Sequence, residues 1–149
     1  MSDLEKKVAF VTGAAQGIGR GIALTLAQAG IDIVIADLDC SKAKEVVTDI
    51  RKMGRKAIAI PLDVTKSDSI TKSVEQAIQH FTQIDILVNN AGVFPEVILK
   101  ETTRKEFDLC YEVNLRGLWE VTTALVPHLK KSQAGKIVNI ASTNGREGE

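Results

Sequence analysis

The sequence is poor in the features on which several protein classes depend. Its 149 residues hold two cysteines, Cys40 and Cys110, far apart and without metal-ligand spacing, which argues against a disulfide framework or a cysteine-based metal site. The two histidines, His80 and His128, have no neighbouring partner for metal or relay chemistry, so no metal site is expected. Neither sign of charge is in excess, with 19 Lys plus Arg against 19 Asp plus Glu. No basic field exists to collect phosphates, and neither a nucleic acid nor an anionic membrane is an expected partner. A long hydrophobic run is also missing. The early run Val8 to Val11 is cut by Thr12 and Gly13, far short of the roughly 20 residues that span a bilayer. With no charged leader ahead of it, the chain is expected to be soluble, reduced and cytoplasmic. No repeat, low-complexity tract or Pro- or Ser-rich linker divides it, so residues 1–149 are read as one domain.

What is present is alternation. Apolar runs at 8–11 (VAFV), 31–36 (IDIVIA), 57–62 (AIAIPL), 84–88 (IDILV) and 136–141 (KIVNIA) are separated by helical patterns. Ile18, Ile22 and Leu26 recur every fourth residue and Gly30 closes the segment, which is helical periodicity with a C-terminal glycine. Ser41 can cap a second helix with Ala43, Val46, Val47, Ile50 and Met53 on its apolar face, with Asp39 as the other capping candidate and Cys40 as a residue before the cap. Ile70, Val74, Ile78 and Phe81 mark a third helix, and the capping box Thr103–Glu106 opens a long fourth one running towards Lys131. Strand, helix, strand in this rhythm means crossover units on a parallel sheet, an α/β Rossmann-like doubly wound fold. The strands are nearly continuous apolar runs, as burial on both faces requires, with Asp32 and Asp85 as exceptions.

The first strand runs into VTGAAQGIGRG, where Gly13, Gly17 and Gly19 stand between strand and helix. A turn of this kind lets backbone approach a pyrophosphate, and the helix N-terminus behind it supplies free N–H groups and a positive dipole end. The spacing differs from Gly-x-Gly-x-x-Gly, and a plain tight turn with close helix packing is the other reading. The second strand ends on Asp37, twenty residues after Gly17, near the usual offset for a carboxylate that binds an adenine ribose. Asp37 and Asp39 would repel a 2′-phosphate, and no Arg or Lys occupies 36–39 to receive one. NAD is therefore expected over NADP, with Arg20 on the first helical turn as the one basic group in reach.

Three ordered motifs, TGAAQGIG at 12–19, LDV at 62–64 and NNAG at 89–92, resemble those of the short-chain dehydrogenase/reductase family. The resemblance runs the length of the chain and implies an oxidoreductase that interconverts a secondary alcohol and a ketone by hydride transfer with a nicotinamide cofactor. It implies that Gly13, Gln16, Gly17, Ile18 and Gly19 form the cofactor turn. Gln16, Leu38 and Asp39 stand where NADP enzymes of the family are often basic. Asp37 and Leu38 would meet the ribose, and Asp63 and Val64 would bracket the adenine, Asp63 accepting from its exocyclic amine. Asn90, Ala91 and Gly92 would pass beneath ribose and nicotinamide, while Asn89 is read as a tie between strands. Asn114, in YEVNLRG, matches a helical asparagine at a local irregularity whose carbonyl faces a water connected to a catalytic lysine. Ser142 matches the serine that hydrogen-bonds the substrate oxygen as charge develops there. Pro127 should bend the long helix.

The family's Tyr-x-x-x-Lys pair, general acid/base and its pKa-lowering ammonium, has no counterpart after Ser142. The only tyrosine, Tyr111, has Leu115 four positions on and lies upstream. The expectation is thus a Rossmann-like domain truncated after its fifth strand, inactive by itself, with a non-catalytic dinucleotide-binding module as the alternative. Leu115, Leu118, Val121, Leu125 and Leu129 give the long helix more apolar surface than one face needs. The short chain is accordingly expected to self-associate, and an extended one to form a tetramer through that helix. Substrate selectivity would reside partly in VFPEVILKET at 93–102.

Overall fold

In the computed structural model, described for residues 6–94, 101–132 and 134–142, five strands form one parallel sheet. They are β1 (Val8–Thr12), β2 (Asp32–Asp37), β3 (Ala57–Pro61), β4 (Ile86–Asn89) and β5 (Lys136–Asn139), in the order β3-β2-β1-β4-β5. Helices α1 (Gly17–Gln28), α2 (Cys40–Lys52) and α3 (Ser67–Phe81) connect the first four strands. A long helical stretch precedes β5, made of α4 (Arg104–Cys110), a π-helical segment (Tyr111–Gly117) and α5 (Leu118–Leu129). One apolar cluster fills the side under α1 and α2, with Ala23, Ile33, Ile35, Val46 and Ile50 at its centre. The other joins Phe10, Val34, Leu87, Val74, Val121 and Leu125 under α3 and α5. Helices thus change faces between β1 and β4. The crevice beyond the carboxyl ends of those strands is where open α/β sheets bind ligands.

The two acidic interruptions of the strand pattern are both satisfied. Asp85, 1% exposed, accepts from Val8 N at 2.9 Å, Gln83 Nε2 at 2.6 Å and the Ser132 hydroxyl at 2.6 Å, tying β1, β4 and the approach to β5. Asp32 pairs with Arg55 at 2.7 Å and accepts from Lys56 N at 2.9 Å. Buried carboxylates survive only with such partners, and here they align the amino ends of the strands.

Several expectations are corrected or narrowed. Of the stripe Ile18, Ile22 and Leu26 on α1, Ile22 and Leu26 are partly buried against the core beneath the helix, and Ile18 is not. The fully buried residues of α1 are Gly19, Ala23 and Ala27, while Ile18 is 69% exposed. At Gly19 the helix lies too close to the turn for any side chain, since a Cβ there would overlap the Gly13 carbonyl oxygen and Asn90 Nδ2. Small residues set the interface, and the isoleucine stripe one position away flanks it. The cap of α2 is Asp39, not Ser41. Its carboxylate accepts from Ser41 N at 3.1 Å and Lys42 N at 3.0 Å, so Cys40 and Ser41 fall inside the first turn. Those N–H bonds, with Lys42 also nearby as a cation, hold the Asp39 carboxyl below its usual pKa. Met53 ends α2 and is exposed. The Thr103–Glu106 capping box of α4 is present as expected.

Candidate functional site

The glycine turn is built by three polar anchors. Thr12, buried at the end of β1, accepts on its hydroxyl from Asn90 N at 3.0 Å and Ala91 N at 2.9 Å. Asn90 Nδ2 returns the tie, donating to the carbonyls of Thr12 at 3.0 Å and Gly13 at 2.9 Å. Asp37 accepts from Ala15 N at 2.8 Å with one carboxylate oxygen and from Asp39 N at 2.9 Å with the other. Gly13 and Gly17 hold the turn at φ +62° and +56°, a region L side chains rarely adopt. Around Gly17 there is open space, whereas a Cβ on Gly13 would sit 2.9 Å from Ala91 Cα. The turn is therefore packed on its inner side and open on its outer side, as a cradle for a bound group must be.

The second wall is the segment after β3. Asp63 accepts from the Thr65 hydroxyl at 2.7 Å and Thr65 N at 3.0 Å and pairs with Lys66 at 3.1 Å. The Thr65 hydroxyl, then the Thr65 N–H and Lys66, hold the Asp63 carboxyl below its ordinary pKa against the opposing effect of burial. The third wall is the loop after β4. There Asn114, inside the π-helical segment, grips the backbone of Val93 twice: Oδ1 accepts from Val93 N and Nδ2 donates to Val93 O, both at 2.8 Å. Asn89 behaves as a strand tie, its amide donating to Thr122 Oγ1 and to Asn139 Oδ1 on β5, each at 2.9 Å.

These walls enclose a cleft of about 550 Å³ at the carboxyl end of the sheet. Gly13, Gln16, Asp37, Leu38, Asp63, Val64, Asn90, Ala91 and Gly92 all line it, together with Leu62, Thr65, Val93, Leu109 and Val113. Among the described residues two carboxylates, Asp37 and Asp63, are the charged groups that line it, and aliphatic side chains make up much of the rest. That set suits a ligand with hydroxyls and amines to offer the carboxylates and a flat ring to lie on the aliphatic surface.

Residues 7–149 match the family described as short chain dehydrogenase. The chain belongs to this family. It is 36% identical over 142 residues to 3-oxoacyl-[acyl-carrier-protein] reductase of Thermotoga maritima, covering 95% of this chain and 58% of the relative. It is 40% identical over 147 residues to versicolorin reductase of Emericella nidulans, covering 95% and 55%. Among solved structures, NAD+-bound xylitol dehydrogenase superposes with a TM-score of 0.94 at 29% identity, covering 99% of this chain and 57% of that one. The 3-ketoacyl-(acyl-carrier-protein) reductase of Brucella melitensis complexed with NADH gives 0.91 at 37% identity, covering 99% and 61%. The chain thus spans somewhat over half the length of these relatives.

As a short-chain dehydrogenase, the chain keeps some expected site residues outside the cleft lining. Gly17, Ile18 and Gly19 form the first turn of α1 beside it. Asn114 sits one step behind Val93, at a local helical irregularity as the family resemblance implies. Ser142 lies three residues beyond β5 and is exposed. Residues 95–100 of the 93–102 stretch, and 143–149, lie outside the described residues. Sequence reading missed Thr12, whose role depends on two N–H groups 78 and 79 positions away. It also missed Lys42, whose ammonium donates to Gln16 Oε1 at 2.9 Å and lies 3.4 Å from Asp39. A search of 36–39 for a cation stops short of it. Arg20, the other basic group near the turn, is held by Asp49 at 3.0 Å.

Proposed function

We propose that this chain is the dinucleotide-binding part of an NAD-dependent oxidoreductase that interconverts a secondary alcohol and a ketone. The observation that carries the reading is the cleft itself: glycine turn, Asp37 and Asp63 converge on one cavity with no basic side chain in its lining among the described residues. The outer face of the turn, with the N-terminus of α1 behind it, would hold the pyrophosphate. Asp37 retains lone pairs beyond its two backbone bonds and would accept from the adenine ribose hydroxyls. A 2′-phosphate at that position meets a carboxylate, and Lys42, not itself a lining residue, is engaged with Gln16 of the lining and with Asp39, so NADP is disfavoured. The nicotinamide, when bound, supplies or accepts the hydride. Ala91, Gly92 and Val93 would form the surface it lies on, kept in place by Asn114. Ser142 is proposed to hydrogen-bond the substrate oxygen.

Within these 149 residues Tyr111 is the only tyrosine, and it opens the π-helical segment rather than following Ser142. We therefore expect the 149-residue polypeptide to bind the dinucleotide without turnover. We also propose that it associates with further copies of itself. Tyr111, Leu115 and Trp119, four residues apart, are 49%, 58% and 60% exposed along one helix face, while Val121, Leu125 and Leu129 face the sheet. Fluorescence titration with NADH and NADPH tests the cofactor reading. Tighter NADH binding is expected, with the order reversed in Asp37→Ala combined with Leu38→Arg; equal affinities in the unsubstituted chain would refute the charge argument.

A further inference from the structure

The π-helical segment touches both ends of the cleft within four residues. Asn114 holds Val93 at one end. At the other, Arg116 Nη2 donates to the Thr65 carbonyl at 2.8 Å, and Gly117 approaches so closely that a Cβ on it would lie 2.7 Å from the Val64 carbonyl oxygen. The guanidinium also lies between two carboxylates. Its Nε is paired with Glu112 one turn earlier and lies 3.7 Å from Glu120 one turn later. Glu120 in turn accepts from the Ser67 hydroxyl at 2.8 Å, at the start of α3. The segment from Val64 to Ser67 is thus joined to the long helix at Val64, Thr65 and Ser67. Asp63, immediately before it, takes its orientation from the Thr65 N–H and hydroxyl.

We infer that Arg116 is a positioning residue for adenine recognition: it holds the Thr65 carbonyl, and through Thr65 it fixes the carboxylate of Asp63 and the face of Val64 against the ring. The inference rests on the dinucleotide reading above. A guanidinium can donate to the Thr65 carbonyl through Nη2 while its Nε end faces the two glutamates, whereas lysine, a flexible point charge, can serve one of these partners but not the set. Loss of the arginine leaves the Thr65 carbonyl and two carboxylates without their common partner, so the loop carrying Asp63 loses its fixed position while Asn114 still holds the nicotinamide end.

The test compares binding of NAD and of its 1,N6-ethenoadenine analogue, whose modified ring has no exocyclic amine to offer, by the 149-residue chain and its Arg116→Ala, Arg116→Lys and Glu120→Gln variants. The unsubstituted chain should prefer NAD by about tenfold, the equivalent of one charge-assisted hydrogen bond. Arg116→Ala should narrow that preference to about twofold, with Arg116→Lys and Glu120→Gln in between. A purely structural role for Arg116 would weaken both dinucleotides alike and leave the ratio unmoved. An unchanged ratio in Arg116→Ala, or equal binding of the two by the unsubstituted chain, overturns the inference. Failure of the unsubstituted chain to bind either dinucleotide overturns the dinucleotide reading instead.

Discussion

Replacing Thr12 by valine isolates the polar contribution of the turn from its packing. Valine has nearly the shape of threonine, and Thr12 is 2% exposed, so the methyl that replaces the hydroxyl needs no new space. What is lost is the acceptor for Asn90 N and Ala91 N. An unsatisfied buried N–H costs about 1–3 kcal/mol, and there are two. Both residues line the cleft, where water can reach part of the vacated site, so the lower end of the range applies to each, giving about 2–3 kcal/mol in all. Thr12→Ser keeps the hydroxyl and removes one buried methyl, a change of about 1 kcal/mol. The two Asn90 Nδ2 bonds to the Thr12 and Gly13 carbonyls do not involve the Thr12 side chain and should survive both changes. Urea unfolding followed by far-ultraviolet circular dichroism should therefore rank the chains parent, Thr12→Ser, Thr12→Val, with the valine midpoint lowered by about 1–2 M for a slope near 1.5 kcal/mol per M. A valine variant as stable as the serine variant would show that the hydroxyl does not bear the load assigned to it.

The other expectations concern the walls and the surface. Gly19→Ala should abolish dinucleotide binding and lower the melting temperature, because its Cβ meets backbone at Gly13 as well as Asn90 Nδ2; normal binding by a folded variant would contradict the close packing of α1. Thr65→Val should raise the Asp63 pKa from its depressed value towards that of a free carboxyl, because the Thr65 hydroxyl is the largest of the groups that lower it. A carboxyl with a lowered folded pKa contributes stability above the unfolded pKa and loses it as pH falls through the folded one, so the parent should exceed Thr65→Val by most above about pH 5, with the gap closing below about pH 4; a gap independent of pH would refute the attribution. Leu115→Glu with Trp119→Glu should shift sedimentation towards monomer and leave NADH affinity within about twofold, as neither residue lines the cleft; an unchanged assembly state would remove that helix face as the contact.

Much of the fold was legible because it rests on local periodicity. The five apolar runs became the five strands within two residues, and the Thr103–Glu106 box marked its helix start because both halves of a capping box lie within one turn. Contacts set by distance between layers were harder to see. The stripe Ile18, Ile22, Leu26 satisfies helical periodicity as well as Gly19, Ala23, Ala27 does, and only the separation of α1 from the sheet decides that the small residues are fully buried while Ile22 and Leu26 pack beside them and Ile18 is exposed. The cap of α2 stayed open for a related reason: Asp39 and Ser41 are both good capping residues two apart, and the exit of the chain from β2 past Asp37 chooses Asp39.

The candidate site divides along the same line, and the division follows from what each residue does. Gly13, Asp37, Asp63 and the 90–92 stretch could be named because a phosphate turn, a ribose carboxylate and a flat floor each demand a residue type at a characteristic place on a strand end. Thr12, Asn114 through its grip on Val93, and Arg116 act on backbone rather than on ligand. Backbone N–H and C=O groups are nearly the same at every position, so a side chain that serves them carries no signature of where its target lies in the sequence. The residues expected to meet the ligand are the ones a pattern can find. Those that fix the shape of the cleft become visible only when the chain has brought Thr12 to Asn90 and Arg116 to Thr65, and they are where substitution should separate stability from recognition.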